Sequence, residues 1–161
     1  MLDSWKRDFE ILPMDAAHCA EVAKLHAQRF PKAWSDGEFF SLISQNSVYG
    51  FIAQQTGGLF GQGMGGFVLA REGGGEAEIL TIAVNEKLGR NGLGWRLMQA
   101  ILRETDLRGG DVMFLEVDGV NNPAIGLYQK LGFATVAERK AYYTAADGSK
   151  STALVMRLDL R

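Results

Sequence analysis

The sequence predicts a mixed α/β (α+β) fold, in which helices flank one sheet. Segments with strand and helix periodicity are interspersed along the chain, and glycine-containing turns separate them. No Pro- or Ser-rich linker interrupts the 161 residues, whose number suits one domain with an interior large enough for a core. We therefore expect a single domain over residues 1–161.

Two helices are predicted in the first third of the chain. The first runs from Asp15 to Phe30, because apolar residues recur at helical spacing, Asp15 is a suitable N-cap and Pro31 follows. The second helix begins at Ser35-Asp36-Gly37-Glu38, which has the pattern of a capping box, and continues to Ile43.

Three strands are predicted next. Between the first two, Thr56 to Gly66 is Gly-rich and predicts a mobile turn or loop, and Gly73-Gly74-Gly75 predicts a tight turn before the third. The third strand is nearly all apolar toward its end, which is typical of a central strand. The predicted strands are Val48 to Gln54, Phe67 to Ala70 and Glu76 to Val84.

The second half of the chain predicts two more helices and three more strands. Gly109-Gly110 would end the helix that begins near Leu93, and Gly132 would cap the next one. A turn at Ala146-Asp147-Gly148 would join the last two strands. The remaining elements are a strand from Val112 to Val117, a helix from Pro123 to Lys130, and strands from Phe133 to Glu138 and from Ala153 to Leu158.

The composition excludes several classes of protein. A net charge of −2 gives no overall attraction to nucleic acid, so no direct nucleic-acid partner is expected. The single cysteine, Cys19, cannot form an internal disulfide, which fits a reducing compartment. No apolar run approaches the ~20 residues that a membrane span needs, and the N-terminal residues lack the apolar core of a signal peptide. We expect a soluble, cytoplasmic protein without a membrane partner.

The segment Val84 to Trp95 joins a strand to a helix through a glycine-containing loop. Such a helix N-terminus presents unpaired N–H groups and the positive end of the helix dipole, so it favours a phosphate. A P-loop is disfavoured because Trp95-Arg96 follows Gly94 where Lys-Ser/Thr is required. A dinucleotide fingerprint is disfavoured because Leu97 occupies the position of its last glycine.

The segment Val84 to Gly94 resembles the acetyl-CoA signature of the GNAT acyltransferases, Arg/Gln-x-x-Gly-x-Gly/Ala. Gly92 and Gly94 match its two small positions, and Gly89 replaces the leading Arg or Gln. The resemblance implies the GNAT fold, with a mixed, mostly antiparallel sheet of six or seven strands and about four helices. It also implies that backbone amides bind the pyrophosphate of acetyl-CoA. The implied cofactor-binding residues are Ile82, Ala83, Val84, Arg90, Asn91, Gly92, Leu93, Gly94, Trp95 and Asn121.

A second block, from Asn121 to Phe133, resembles the family segment Asn-x-x-Ala-x-x-Leu-Tyr-x-x-x-Gly-Phe. The resemblance places Asn121 near the pantetheine arm of the cofactor and Tyr128 near the thioester sulfur. Packing of the Tyr128 ring on the sheet is the structural alternative, and the two roles are compatible because the hydroxyl can point into the site.

Further residues resemble the RimI branch of this superfamily. The branch features are Glu116 twelve residues before Tyr128, the pair Tyr142-Tyr143, the turn Asp147-Gly148 and the segment Phe30-Pro31-x-x-Trp34-Ser35. This resemblance implies acetylation of the N-terminal alanine of a small-subunit ribosomal protein. Tyr142 and Tyr143 would line the peptide groove or form an ordinary aromatic pair, and Trp34 would border the substrate entry or fill the core. We expect a monomer or weak dimer.

The resemblance implies two catalytic residues and no metal. An N-terminal amine has a pKa of ~7.7–8.0 and must lose a proton before or during its attack on a thioester, and the family match implies that Glu116 is the base and Tyr128 the acid. Glu116 alone would otherwise be interpreted as a strand-end carboxylate in an ordinary ion pair. Two alternatives remain open: a GNAT enzyme acting on an internal lysine, a polyamine or an aminoglycoside, and a non-catalytic acyl-CoA-binding module. Glu76 and Glu78 are more simply explained as solvent-facing, and His18 and His26 as packing residues.

Overall fold

A computed structural model of the chain describes residues 8–56, 63–88 and 92–161, except for the side chain of Leu88. This part contains seven strands, four α-helices and two short 3₁₀ turns, Ala16–His18 and Glu86–Leu88. The strands are β1 (Phe9–Pro13), β2 (Val48–Gln55), β3 (Met64–Gly73), β4 (Glu76–Val84), β5 (Val112–Asp118), β6 (Ala134–Thr144) and β7 (Lys150–Asp159). The helices are α1 (Cys19–Arg29), α2 (Asp36–Ile43), α3 (Leu93–Leu107) and α4 (Asn122–Leu131).

All seven strands form one sheet in the order β1-β2-β3-β4-β5-β7-β6. The pairs β1–β2, β2–β3, β5–β7 and β6–β7 are antiparallel, and β4 runs parallel to β5. Among the described residues, the β4–β5 register covers three pairs, from Glu76–Val112 to Glu78–Phe114. The predicted mixed, mostly antiparallel sheet with four flanking helices is confirmed.

The chain divides into two compact units, the first within Met1–Arg71 and Leu80–Glu104 and the second made of Glu72–Ile79 and Thr105–Arg161. In the first unit, α1 and α2 bury their apolar faces against β2 and β3, around Phe39, Phe67 and Ile52. In the second unit, buried residues of β5 and β7, such as Met113 and Met156, form the interior.

The local signals for helix ends agree with the structure. Ser35 and Glu38 form the predicted capping box of α2, with Glu38 N–H donating to Ser35 Oγ at 3.1 Å. Gly132 ends α4 at φ 104°, in the left-handed region that glycine enters without steric cost. Asp15 caps the 3₁₀ turn that precedes α1, so α1 itself begins later, at Cys19.

Three predictions of strand extent were wrong. The sequence analysis missed β1, a short edge strand that ends at Pro13. The predicted loop from Thr56 to Gly66 overlaps β3, which already begins at Met64, while residues 57–62 lie outside the described part. The strand predicted to end at Glu138 continues to Thr144 as β6.

None of the helices in the described part of the chain is both long and apolar enough to cross a membrane.

Candidate active site

In the first unit, two glycines of β3 shape the exit of β4. Gly65 is an extra residue in the β2–β3 register, and its carbonyl accepts the backbone N–H of Asn85 at 2.8 Å, just after β4 ends. A Cβ on Gly65 would lie 2.5 Å from the Phe9 ring and 2.6 Å from Leu93 Cδ1. A Cβ on Gly66 would lie 2.8 Å from the Ala83 carbonyl oxygen. The absence of a side chain at Gly65 and Gly66 therefore allows β3 to approach β1, α3 and β4 closely. Both residues lie in β3 and not in the predicted loop.

The start of α3 has the geometry expected of a helix N-terminus. Gly92 has φ +66° and is exposed, and its carbonyl accepts the N–H of Arg96 at 3.1 Å. Leu93 is buried, Gly94 is half-buried and the side chain of Trp95 is exposed. Because the first N–H groups of a helix have no intrahelical acceptor, the backbone here can donate to an anion. The predicted contacts at Arg90 and Asn91 lie outside the described residues.

The end of β4 carries the other predicted cofactor-binding residues of this unit. Ala83 is buried in the core cluster of the first unit, and Ile82 and Val84 are half-buried. Beyond β4, Glu86 forms an ion pair with Arg29, the last residue of α1, at 2.6 Å. The role of the Ile82–Val84 amides remains a prediction.

In the second unit, strand register places four polar residues on one face of the sheet. Alternate residues of a strand share a face, and residues directly opposite each other in neighbouring strands share it too. Ser151, Ala153 and Val155 are alternate residues of β7, so residues opposite them in β5 and β6 lie on the same face. Across β7, Glu116 and Ala137 are opposite Val155, Asp118 and Arg139 are opposite Ala153, and Tyr143 is opposite Ser151.

Glu116 takes part in an ion pair on this face. Its Oε1 lies 3.1 Å from Nη2 of Arg139, with 33% of the Glu116 side chain and 54% of the Arg139 side chain exposed. The Arg139 guanidinium also lies 5.4 Å from the centre of the Tyr142 ring. Arg139 was absent from the predicted site. No local pattern marked it, because its partner lies on another strand.

Tyr128 is buried in α4, and its ring packs edge-to-face on Phe133 at 5.9 Å between centroids. Burial raises the pKa of Tyr128 to about 12, with a smaller contribution from the neighbouring Tyr143. The hydroxyl therefore stays protonated at neutral pH. The predicted combination of a packed ring and a retained proton fits this residue.

Tyr143 connects the members of this cluster electrostatically. Its pKa is raised, first by burial and then by the negative charges of Glu116 and Asp118 and by Tyr142, while Arg139 acts in the opposite direction. The rings of Tyr142 and Tyr143 meet edge-to-face at 5.2 Å. The two tyrosines thus form the aromatic pair that was one of the two expectations, and their place in a peptide groove stays a prediction.

Asn121 caps α4, with its Oδ1 accepting the N–H of Ala124 at 3.3 Å.

His26 of the first unit is a packing residue, as expected. Its ring stacks on Phe30 and Trp34, and its Nδ1 accepts the Trp34 N–H at 3.1 Å. Trp34 packs against the core cluster of that unit.

The chain is similar to several known proteins. The profile of the family described as "Acetyltransferase (GNAT) family" matches residues 19–133. The [ribosomal protein bS18]-alanine N-acetyltransferase of Escherichia coli strain K12 is 34% identical over 135 residues, covering 83% of this chain and 84% of that protein. The N-alpha-acetyltransferase RimI of Mycobacterium tuberculosis is 34% identical over 148 residues, covering 90% of this chain and 87% of that protein.

A solved structure is also similar over almost the whole chain. The crystal structure of the ribosomal-protein-S18-alanine N-acetyltransferase from Escherichia coli superposes with a TM-score of 0.82 at 28% identity, covering 95% of this chain and 94% of that one.

Proposed function

We propose, from the premise that this chain belongs to the acetyltransferase (GNAT) family, that it transfers the acetyl group of acetyl-CoA to the N-terminal amine of a small-subunit ribosomal protein, with alanine as the acceptor residue. Two relatives that align with most of the chain and carry N-terminal acetyltransferase names support the proposal. The observation that carries it is the cluster in the second unit, where strand register places Glu116, Asp118, Arg139 and Tyr143 on one face of the sheet.

In this proposal the cofactor is bound mainly by backbone groups. The amides that begin α3, from Gly92 to Trp95, would bind the pyrophosphate, together with Arg90 and Asn91. The amides of Ile82–Val84 would align the thioester and donate to the oxygen on which negative charge develops during attack. Asn121 would approach the pantetheine arm.

Glu116 is the proposed base. It accepts, directly or through a water molecule, the proton that the N-terminal ammonium must lose, and the neutral amine then attacks the thioester carbon. The strand fixes the backbone of Glu116 in the sheet, and the side-chain rotamer decides where the carboxylate lies.

Tyr128 is the proposed donor to the leaving sulfur. Its pKa of about 12 keeps the hydroxyl intact at neutral pH. A thiolate has a reference pKa of ~8.5, so complete proton transfer from Tyr128 alone would be uphill. We therefore assign to Tyr128 a hydrogen bond to the sulfur as the C–S bond breaks and the sulfur leaves as a thiolate. Of the two protons that the nitrogen loses on becoming an amide, the first goes to Glu116 before attack and the second neutralises this thiolate.

Incubation of the purified protein with acetyl-CoA and an alanine-initiated ribosomal peptide tests the function, with mass spectrometry of the product. The same peptide with a blocked N-terminus and a free lysine, a polyamine and an aminoglycoside test the other acceptors. We expect N-terminal acetylation only. Binding of acetyl-CoA without transfer to any amine would instead support a non-catalytic acyl-CoA-binding module.

The variants Glu116→Gln and Tyr128→Phe test the assigned roles. Each should lower kcat by roughly 10²-fold or more, the contribution typical of positioned acid–base groups, while the affinity for acetyl-CoA stays nearly unchanged. Glu76→Gln, at the exposed start of β4, is the matched control and should retain full activity. Full activity of both site variants would contradict the assignment.

The proposal also describes a single domain that acts in the cytoplasm as a monomer or weak dimer. Light scattering of the purified protein tests the oligomeric state, and a single cooperative unfolding transition tests the single domain.

A further inference from the structure

We propose that Arg139 is a positioning residue for acetyl transfer, which acts by holding the carboxylate of Glu116 in its working orientation. The inference rests on the proposed function, because it requires Glu116 to be the base. It adds a residue that the sequence motifs did not single out.

The contact itself is specific in its atoms. Nη2 of Arg139 lies 3.1 Å from Oε1 of Glu116, so the guanidinium engages one carboxylate oxygen. We assign the other oxygen, Oε2, to the incoming amine or its bridging water. An unrestrained Glu side chain distributes among several rotamers, whereas a charge-assisted hydrogen bond to a fixed donor selects one of them.

Arg139 is itself held from two sides. Its guanidinium covers the Tyr142 ring at 5.4 Å, and its backbone is paired with Ala153 of β7. Immediately beyond Arg139, β6 bulges: it has three residues between Arg139 and Tyr143, where β7 has only Thr152 between the opposite residues. This bulge places Tyr143 opposite Ser151, where Ala141 would lie in a regular ladder, on the face that carries Arg139 and Glu116.

The bulge has a conformational cost. Ala141 at its centre has φ +54°, which is the only positive φ among the non-glycine residues that the structure describes. Such a conformation is disfavoured for a residue with a Cβ, and it persists where the surrounding structure imposes it. Strain retained beside the candidate base is consistent with a functional requirement for the positions of Arg139 and Tyr143.

The free energy of folding that the Glu116–Arg139 ion pair contributes is too small to explain why these residues are paired. Both partners are partly exposed, at 54% and 33% of their side chains, and exposed pairs contribute little because water and salt screen them. Loss of Arg139 should therefore lower kcat if its role is to orient Glu116, whereas a role in folding would lower the melting temperature instead.

Arg157 is a matched control in the same unit. It also forms an ion pair, with Asp159 at 2.9 Å, and its guanidinium also covers an aromatic ring, that of Phe114, at 5.5 Å. Its side chain is 46% exposed, similar to Arg139. Its carboxylate partner has no assigned role in catalysis.

The test compares Arg139→Gln, Arg139→Lys and Arg157→Gln, with kcat, both KM values and the melting temperature measured for each. Arg139→Gln should lower kcat on the order of 10- to 100-fold, as expected for a misplaced base, and should change the KM for acetyl-CoA less than about twofold. Arg139→Lys, which keeps the charge without the planar fork, should recover part of kcat. Arg157→Gln should keep wild-type kcat with a similar change in melting temperature.

A double variant tests whether Arg139 acts through Glu116. If it does, Glu116→Gln/Arg139→Gln should have the same residual kcat as Glu116→Gln alone. Multiplicative losses, an unchanged kcat in Arg139→Gln, or equal losses in Arg139→Gln and Arg157→Gln would overturn the inference. Failure of the proposed function is distinguishable, because the wild-type protein would then acetylate none of the amines tested. In that case Glu116 is not a base and the inference fails together with the proposed function, whereas transfer by the wild type with an unchanged kcat in Arg139→Gln overturns the inference alone.

Discussion

The backbone N–H of Asn85 donates to the carbonyl of Gly65 across 2.8 Å, and this bond ties the end of β4 to a bulge in β3. Gly65 also lies against Leu93, the first residue of α3. One glycine thus sets both the exit of β4 and the approach of α3, between which the proposed pyrophosphate-binding loop runs.

Gly65→Ala should therefore disturb folding and cofactor binding together. The added Cβ would meet Phe9 and Leu93 at 2.5 and 2.6 Å. We expect destabilisation of about 1–3 kcal/mol from overpacking and a higher KM for acetyl-CoA. Gly37→Ala in α2 is the control, since among the described residues its Cβ would meet Ser35 Oγ alone, at 3.8 Å. Urea unfolding and steady-state kinetics measure both effects, and equal behaviour of the two variants would contradict the explanation.

Gly92→Ala should weaken acetyl-CoA binding through the backbone. Gly92 has φ +66°, and no atom of the described residues lies within 4 Å of its added Cβ, so the expected effect comes from conformation. The left-handed conformation costs a residue with a Cβ about 1–2 kcal/mol, and escape from it would turn the first amides of α3. Gly126→Ala, in α4 with equally open space, should leave binding unchanged. Calorimetric titration with acetyl-CoA measures the dissociation constants of Gly92→Ala and Gly126→Ala, and the prediction fails if these two constants agree.

Tyr128 should make the protein less stable as the solution becomes more alkaline. Its pKa is about 12 in the folded state, and a tyrosine in the unfolded chain ionises near ~10. Between these values the folded protein binds more protons, so stability decreases with rising pH, by at most ~1.4 kcal/mol per pH unit. Tyr128→Phe should lose this part of the slope. Urea unfolding from pH 9 to 11 measures it, and identical slopes would contradict the assignment.

His26 should make the protein less stable as the solution becomes more acidic. Burial lowers its pKa, although Glu38 opposes the effect. As the pH falls, the unfolded chain therefore binds a proton at His26 before the folded protein does. Protonation then favours the unfolded chain, so the free energy of unfolding decreases as the pH falls below ~6.5. His26→Gln should show a shallower decline between pH 8 and 5.5. Melting temperatures over that range test the sign, and a steeper decline in the variant would refute it.

Local sequence patterns predicted much of the fold correctly. The strand predicted from Glu76 to Val84 has the same bounds as β4, the Ser35 capping box forms as expected, and Gly132 ends α4. Each of these features depends on neighbours within a few residues, so the amino-acid order alone carries the information.

Glycine was the source of one error. In Thr56 to Gly66, the glycines were interpreted as turn formers, but Gly65 and Gly66 lie in β3 and permit close contact with α3 and β4. A missing Cβ serves both purposes equally well, and only the position of distant atoms distinguishes them.

The sequence by itself determined the four helices, the central strand β4, the family and the candidate pair Glu116 and Tyr128. Only the tertiary structure decided that Arg139 pairs with Glu116 and that Ala141 adopts a left-handed conformation at a bulge. Helix caps and strand periodicity are short-range properties, which a linear pattern records. Contact between Glu116 and Arg139 depends instead on the registers of β5 and β6 on β7, which are set by the packing of the whole sheet.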